Sequence, residues 1–350
     1  MKQSIITICI VSYNGKNRIE KTLFCISNLI VPTNIKLQLV FVDNASTDDT
    51  YSFVSSYCKK HLSQVTLILK KLEKNNLGEA RRLGYEGLIT DFVITCDDDN
   101  EFPVDYLLKG LHYFQKNPQI GVLGAKGIVC NDEITIPAWF NELAYYFGCG
   151  PQANQTGNVY QTRNVVYGAG MWHRHDVLMK AFELGFHSFA ESRNGDKLGG
   201  GEDGEVCWAI KFLGFEIWYA DDLVFLHRLN KDKFTVEYRD RLILSLSSFK
   251  TIYANIHNRI YRGEISEKVH FFWLKECIYH LKYLLKVCFK GNNNEEIKRT
   301  IYSLKSLIKE RSDYDRNINA LVTFKKKSDV FRLKINDVRL KGIDHQIGIK

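Results

Sequence analysis

Asp91-Phe92-Val93-Ile94-Thr95-Cys96-Asp97-Asp98-Asp99-Asn100 is the stretch on which the fold turns. An apolar, β-branched run ends abruptly in three consecutive carboxylates. Apolar residues on both faces of the run predict a buried strand of a mostly parallel sheet. Like charges side by side repel, so folding alone gives little reason to place three there. Ligands of open α/β sheets sit just outside the carboxyl ends of the strands. Acidic groups at that point suit a hard divalent cation, Mg²⁺ or Mn²⁺, which brings substrate phosphates with it. The same residues also read as an acidic turn, since Asp and Asn form turns and Pro103 can open a helix.

The flanking sequence repeats the pattern. Ser4 to Val11 predicts a first strand, ending at the turn residues Ser12-Tyr13-Asn14-Gly15, with a helix from Arg18 to Leu29. Leu37 to Val42 predicts a second strand, ending on Asp43; cap-forming residues then lead into a helix through Tyr57. Val65 to Leu69 is a third strand, followed by a short helix from Glu79 to Leu88; after the Asp91 strand come a helix from Pro103 to Gln115 and a strand from Ile120 to Leu123. Alternation of strand and helix implies parallel strands with right-handed crossovers, which aligns Ser12-Tyr13, Asp43 and Asp97 along one sheet edge. No Walker loop or GxGxxG follows the first strand, which argues against a P-loop NTPase or a dinucleotide enzyme.

Beyond residue 125 the signals loosen. Lys126 to Val165 is aromatic and polar, as acceptor loops are and as any surface connection is. Order returns at Asn164 to Met171, where Gly168-Ala169-Gly170 let the backbone turn tightly or approach a ligand. Gly199-Gly200-Gly201 then delivers Glu202 and Asp203 to the start of a helix, where the helix dipole favours ionised acid. Two short strands, Glu216 to Ala220 and Leu223 to Leu226, end at His227. Three helices are expected after that, at Glu237 to Ile256, Glu264 to Phe289 and Asn294 to Arg311, with a basic, poorly periodic tail from Phe324. The middle one mixes aromatic residues with Lys275, Lys282, Lys286 and Lys290, which suits a peripheral membrane surface or a helix packed on the catalytic domain with its lysines solvated.

Composition is that of an ordinary globular chain: 350 residues, 45% hydrophobic, 25% charged. The net charge of +8 favours anionic partners without choosing among them. Nine scattered cysteines form no CxxC pair, and the expected setting is a reducing cytoplasm, peripheral to the inner membrane face. No signal-peptide pattern and no apolar run long enough to span a bilayer is read in the sequence.

With Val11-Ser12-Tyr13-Asn14, Val42-Asp43-Asn44-Ala45-Ser46-Thr47-Asp48, Asn76-Leu77-Gly78 with Arg81, Asp97-Asp98-Asp99, Gly168-Ala169-Gly170 and Glu202-Asp203 in this order, the sequence resembles the family 2 glycosyltransferases of the GT-A fold. The resemblance covers about the first two-thirds of the chain. It implies a Rossmann-like α/β catalytic domain over residues 1–230, with a nucleotide-binding part (1–125) and an acceptor-binding part (126–230), followed by a helical extension over 231–350. It further implies inverting transfer from a nucleotide-sugar donor, UDP-linked by family preference, to a glycan or lipid-linked acceptor in cell-surface polysaccharide synthesis, with Mn²⁺ or Mg²⁺ and no nucleic acid. Ser12 and Tyr13, with Asn14 beside them, would meet the base or ribose, and Asp43 would accept from the base. Asn76 and Arg81 would lie near the base or diphosphate. Asp97 would touch the ribose or the metal, Asp98 the nucleotide side, and Asp99 and His227 the metal. Asp203 would be the general base, with Glu202 as substitute, and Gly168-Ala169-Gly170 would border donor sugar or acceptor. A sugar-phosphate nucleotidyltransferase and a non-catalytic nucleotide-sugar-binding partner are the competing readings.

Overall fold

The structure, a computed structural model, describes residues 3–160, 162–188, 199–249, 255–290 and 294–340. In chain order the elements are β1 (Ser4–Ser12), α1 (Ile19–Ser27), β2 (Ile35–Asp43), α2 (Thr50–His61), β3 (Thr66–Lys71), α3 (Leu77–Tyr85), β4 (Phe92–Asp97), β5 (Asn100–Glu101), α4 (Tyr106–Lys116), β6 (Ile120–Cys130), α5 (Phe140–Leu143), β7 (Gly157–Asn158), β8 (Trp172–Arg174), α6 (His175–Glu183), α7 (Glu202–Phe212), β9 (Glu216–Arg228), α8 (Val236–Phe249), α9 (Asn255–Tyr261), α10 (Phe272–Lys290) and α11 (Asn294–Leu340). The strands form one sheet in the order β3-β2-β1-β4-β8-β6-β9-β5, with β7 added beside β9.

The expected alternation is present: β1 pairs in parallel with β2 and β4, and β2 with β3. Register brings Ser12 opposite Asp43 and Val11 opposite Asp97, so the polar residues that end these strands do share one edge. Central strands are apolar on both faces, as helices on each side require; Ile6, Ile8, Ile10 and Val40, Phe41, Val42 are fully buried. Trp172 of β8 is fully buried among Phe92, Tyr106 and Phe114 and joins the two halves of the sheet.

Several expectations are corrected. The strand from Ile120 continues to Cys130, taking the first residues of the presumed loop. Residues 164–171, expected to restore order with a tight glycine turn, are turns and extended chain that lead into β8. The two short strands after Glu216 are one strand, β9, whose pairing with β6 slips by a bulge between Gly124 and Lys126. Asn100-Glu101, expected as a turn, pairs antiparallel with β9, Asn100 opposite His227.

The C-terminal helices also differ. The helix expected from Glu264 begins only at Phe272, because Phe271 stands in the left-handed region at φ 53°. Asp315 of α11 caps the start of α10 by accepting from the Phe272 and Trp273 amides at 3.0 and 3.1 Å. The segment after Arg311 continues α11 to Leu340. Tyr314, Ile318, Leu321, Val322 and Phe324 supply it with a buried face against the same core cluster that holds α7 residues such as Trp208 and Phe212.

Candidate active site

A cavity of about 740 Å³ opens at the carboxyl edge of the sheet. Asp97, Asp98, Asp99, Arg81, Glu202, Asp203 and His227 all line it, as do Tyr13, Gly168 and Ala169. Acids separated by a hundred residues in sequence therefore face one space.

The three consecutive carboxylates coexist because each has its own cation, taken from a different part of the chain. Asp97 lies 3.4 Å from Arg81 of α3. Asp98 is buried and accepts from Arg18 Nε and Nη2 at 2.7 and 2.8 Å, and from the Ser12 hydroxyl. Asp99 is buried and accepts from His227 Nε2 at 3.0 Å and Lys233 Nζ at 3.1 Å. Burial works against the ionised form of Asp99, but Lys233 and His227 together outweigh it and hold its carboxyl well below the usual carboxylate range. For Asp98 burial prevails over Arg18, and its pKa is raised. Burial works against protonation of His227, and Asp99 overrides it, holding the imidazole well above its ordinary pKa.

The short pairing of β5 with β9 brings His227 to Asp99. The Arg228 amide also donates to the Asp99 carbonyl at 2.8 Å, fixing the end of β9 against the acidic turn. Asn100 Oδ1 accepts from the Asp97 amide at 3.0 Å and closes that turn.

Arg81 is the hub of the opposite wall. Its guanidinium pairs with Asp203, and at 3.4 Å with both Glu202 and Asp97. It is buried, which opposes charge, yet Asp203, Glu202 and Asp97 keep its pKa well above the ordinary arginine value. Gly201, at φ 117°, turns the chain into α7 and delivers Glu202 and Asp203 to its first turn. The second Asp203 oxygen accepts from the Gly168 amide at 2.7 Å. Gly168 is required by this approach: a Cβ there would stand 2.6 to 2.9 Å from the Asp203 carboxyl atoms.

Not every predicted residue reaches the cavity wall. Ser12, Asn14, Asp43, Asn76 and Gly170 lie outside its lining. Ser12 donates to Asp98. Asn14 clamps the first turn to the second, its amide donating to Ser46 at 3.0 Å and its side-chain oxygen accepting from the Thr47 amide at 2.8 Å. Asn76 caps α3, accepting from the Glu79 amide at 3.1 Å, and its own amide donates to Asn44. Gly170 packs its backbone against Tyr106 and Phe225 at φ 68°. Asp43 is buried; its Oδ1 accepts from the Ser46 amide at 3.2 Å, and its Oδ2 has no hydrogen-bond partner, with Lys71 Nζ 3.7 Å away.

The sequence reading missed Arg18, Lys233 and an aromatic wall of Tyr145, Tyr146, Phe147 and Tyr238. Arg163 stacks on Tyr145, 3.4 Å from the ring centroid. A demand for one cation per buried carboxylate would have flagged Arg18, the nearest arginine after the first strand. Of the segments expected to shape specificity, Lys126 to Val165 and Phe186 to Leu198, residues 189–198 lie outside the described residues.

Asp97, Asp99 and His227 each offer a ligand atom within 4.8 Å of the others. Five carboxylates (Asp97, Asp98, Asp99, Glu202, Asp203) face four permanent cations (Arg18, Arg81, Arg163, Lys233) around this cavity, so it is the clustering of Asp97, Asp99 and His227, not a charge deficit, that suits a divalent ion. Two carboxylates and an imidazole make a donor set that suits a divalent cation.

Residues 7–169 match the family model described as Glycosyl transferase family 2. No curated protein sequence matches the chain. Among solved structures, S. aureus TarS 1-349 aligns at 16% identity with a TM-score of 0.52, covering 99% of this chain and 94% of that one. The same protein in complex with UDP-GlcNAc aligns at 16% identity and a TM-score of 0.53, covering 96% and 92%. The mannosyltransferase PcManGT from Pyrobaculum calidifontis, in complex with GDP-Man and Mn2+, aligns at 17% identity and a TM-score of 0.51, covering 94% and 86%. At these identities the likeness is one of fold, and it extends through the C-terminal helices.

Proposed function

The chain carries a glycosyltransferase family 2 domain, and from that premise we propose that it transfers a sugar, with inversion, from a UDP-sugar to a hydroxyl of a glycan or lipid-linked acceptor. The observation that carries the reading is the shared cavity: Asp99 with His227 on one wall, Asp203 on the other, and Arg81 linking Asp203 to Asp97. The structural neighbours that hold UDP-GlcNAc and GDP-Man support a nucleotide-sugar donor.

Inversion is one displacement. The acceptor oxygen bonds to the anomeric carbon as the bond from that carbon to the diphosphate oxygen breaks, and the bonding pair leaves with the diphosphate. Asp203 takes the acceptor proton; a single carboxylate suffices, unlike the two that flank the bond in a hydrolase. The Gly168 amide and Arg81 fix the direction in which its oxygens point. Lys233 and Arg81 are cations already on the cavity wall, suited to the charge that grows on the leaving diphosphate. Asp97, Asp99 and His227 would hold Mn²⁺, which supplies Lewis-acid stabilisation of that diphosphate when bound. The aromatic wall of Tyr145, Tyr146 and Tyr238 suits the apolar face of a sugar ring. The Oδ2 of Asp43, which has no hydrogen-bond partner, is an acceptor suited to a base N–H.

The test is a nucleotide-sugar screen by thermal shift with and without Mn²⁺, followed by turnover of the hits by wild type and Asp203→Asn. Transfer by the wild type, with Asp203→Asn binding donor normally and inactive, is the expected result. Transfer by Asp203→Asn at a comparable rate removes Asp203 from its role, and pyrophosphate among the products replaces the proposed reaction with nucleotidyl transfer.

A further inference from the structure

The exposed side of α10 is apolar where a solvated helix should be polar. Phe271, just before the helix, and Leu274, Ile278, Leu281, Leu285 and Phe289 along it are all exposed, Phe271 and Phe289 by 70% and 89%. Their spacing of three and four residues lines them along one face. The opposite face holds Phe272, His280 and Val287, which are buried and pack the helix onto the rest of the protein. This exposed stripe is therefore not the packing surface of α10. Nineteen residues at about 1.5 Å each make it about 28 Å long.

Charge says what covers it. Lys275, Lys282 and Lys286 are exposed and, at intervals of seven and four, form a row beside the stripe. The one acid of the helix, Glu276, is turned inward, partly buried and 3.4 Å from Arg259 of α9. The exposed face thus carries apolar side chains and positive charge with no carboxylate from its own helix. A second copy of the chain would bring an identical row of lysines to the contact, and like charges there repel. Water gains nothing from the leucines. An anionic lipid surface satisfies both halves, since acyl chains take the stripe and headgroup phosphates take the lysines.

We propose that α10 docks the protein, lying in the plane of the interface, on a membrane rich in anionic lipid. Among the described residues no helix is long and apolar enough to cross a membrane, so the attachment is peripheral and reversible. The Phe271 and Phe289 rings mark the two ends of the inserted face. Attachment of this kind restricts the enzyme to acceptors displayed at a membrane, and it holds whatever sugar the cavity takes.

The test is flotation of the full chain with phosphatidylcholine vesicles, with and without phosphatidylglycerol. Wild type is expected to float only with the anionic vesicles and to be released by salt. Each lysine beside an anionic surface is worth about a fivefold change in partitioning, so Lys275→Gln, Lys282→Gln and Lys286→Gln together lower it about a hundredfold. Leu274→Ser, Ile278→Ser, Leu281→Ser and Leu285→Ser together abolish flotation while leaving the circular dichroism spectrum and UDP binding unchanged, because these side chains stand on the exposed face, away from the buried Phe272, His280 and Val287. Absence of flotation at low salt, equal flotation with neutral vesicles, or flotation untouched by both variant sets overturns the proposal. A dimer in sedimentation that the serine variant dissociates also overturns it and assigns the stripe to a second copy.

Discussion

Replacing Gly168 with alanine tests the position of the proposed base without altering any ionisable group. The added Cβ would stand 2.6 Å from Asp203 Oδ1, 2.7 Å from Cγ and 2.9 Å from Oδ2. The backbone at Gly168 is outside the left-handed region, so alanine costs nothing through φ. Ordinary contact begins near 3.4 Å, so the carboxyl must retreat by about 0.8 Å. That retreat breaks the 2.7 Å bond from the Gly168 amide, while Arg81 still holds the other oxygen. A misplacement of about 1 Å in a reacting group costs about a hundredfold in rate, or about 2.7 kcal/mol in the barrier. We expect Gly168→Ala to lower kcat about a hundredfold while the Kd for UDP, by calorimetry, changes less than about twofold. In an Asp203→Asn background the same substitution should add almost nothing, since the group it displaces no longer acts as a base. Single-turnover transfer measurements on the four proteins of this cycle decide the matter. A Gly168→Ala enzyme within about threefold of wild type, with an unchanged melting temperature, would refute the idea that this amide aims the base.

Three further outcomes follow from the same site and core. Arg81→Met leaves Asp97, Glu202 and Asp203 without their shared cation and should cost about 3–5 kcal/mol of stability, read as a lower urea midpoint at unchanged slope. Lys233→Met removes an ammonium that competes with a metal ion for Asp99, so Mn²⁺ without nucleotide should bind about fivefold more tightly by calorimetry, whereas His227→Ala should bind it more weakly. His173 and His175 are buried and kept neutral, their pKa values pushed down to about 3 and about 4, chiefly by burial. The unfolded chain protonates these rings below its histidine pKa of about 6.5 while the native state does not, so their share of stability is intact above that pH and lost as pH falls towards 3–4. At pH 5 the loss is about 2 kcal/mol for each ring, and urea titrations of wild type and His173→Gln at pH 7 and pH 5 should show the variant losing less.

The fold was legible to the point where sequence-local signals ran out. Apolar strands ending in Asp43 and Asp97 announced themselves because a parallel sheet buries both faces of a strand and leaves polar residues only at its end. Boundaries moved where tertiary contacts decide: β5 exists because Asn100 meets His227 across 127 positions of sequence, and no local pattern encodes that pairing. The long α11 hid in a basic tail because its buried residues, from Tyr314 to Phe324, are diluted by solvated lysines. Its capping of α10 through Asp315 is likewise a contact between segments distant in the chain.

The acidic triplet shows why the site was only half legible. Sequence placed the three carboxylates together but could not say which of them faces substrate, because that depends on the partner each one finds. Asp98 accepts three hydrogen bonds, two from the bidentate Arg18 guanidinium and one from Ser12, which ties the first turn to the fourth strand and leaves it least able to take a ligand. Asp97 and Asp99 meet single donors from each cation, Arg81 of α3 and Lys233 beyond β9, which stand with Arg18 on the walls of the same cavity. A bound divalent ion would take the place of those cations at the two carboxylates and leave Asp98 undisturbed. The outer pair of the triplet is therefore the exchangeable one, and the middle residue is the fastener that holds the pair at the sheet edge.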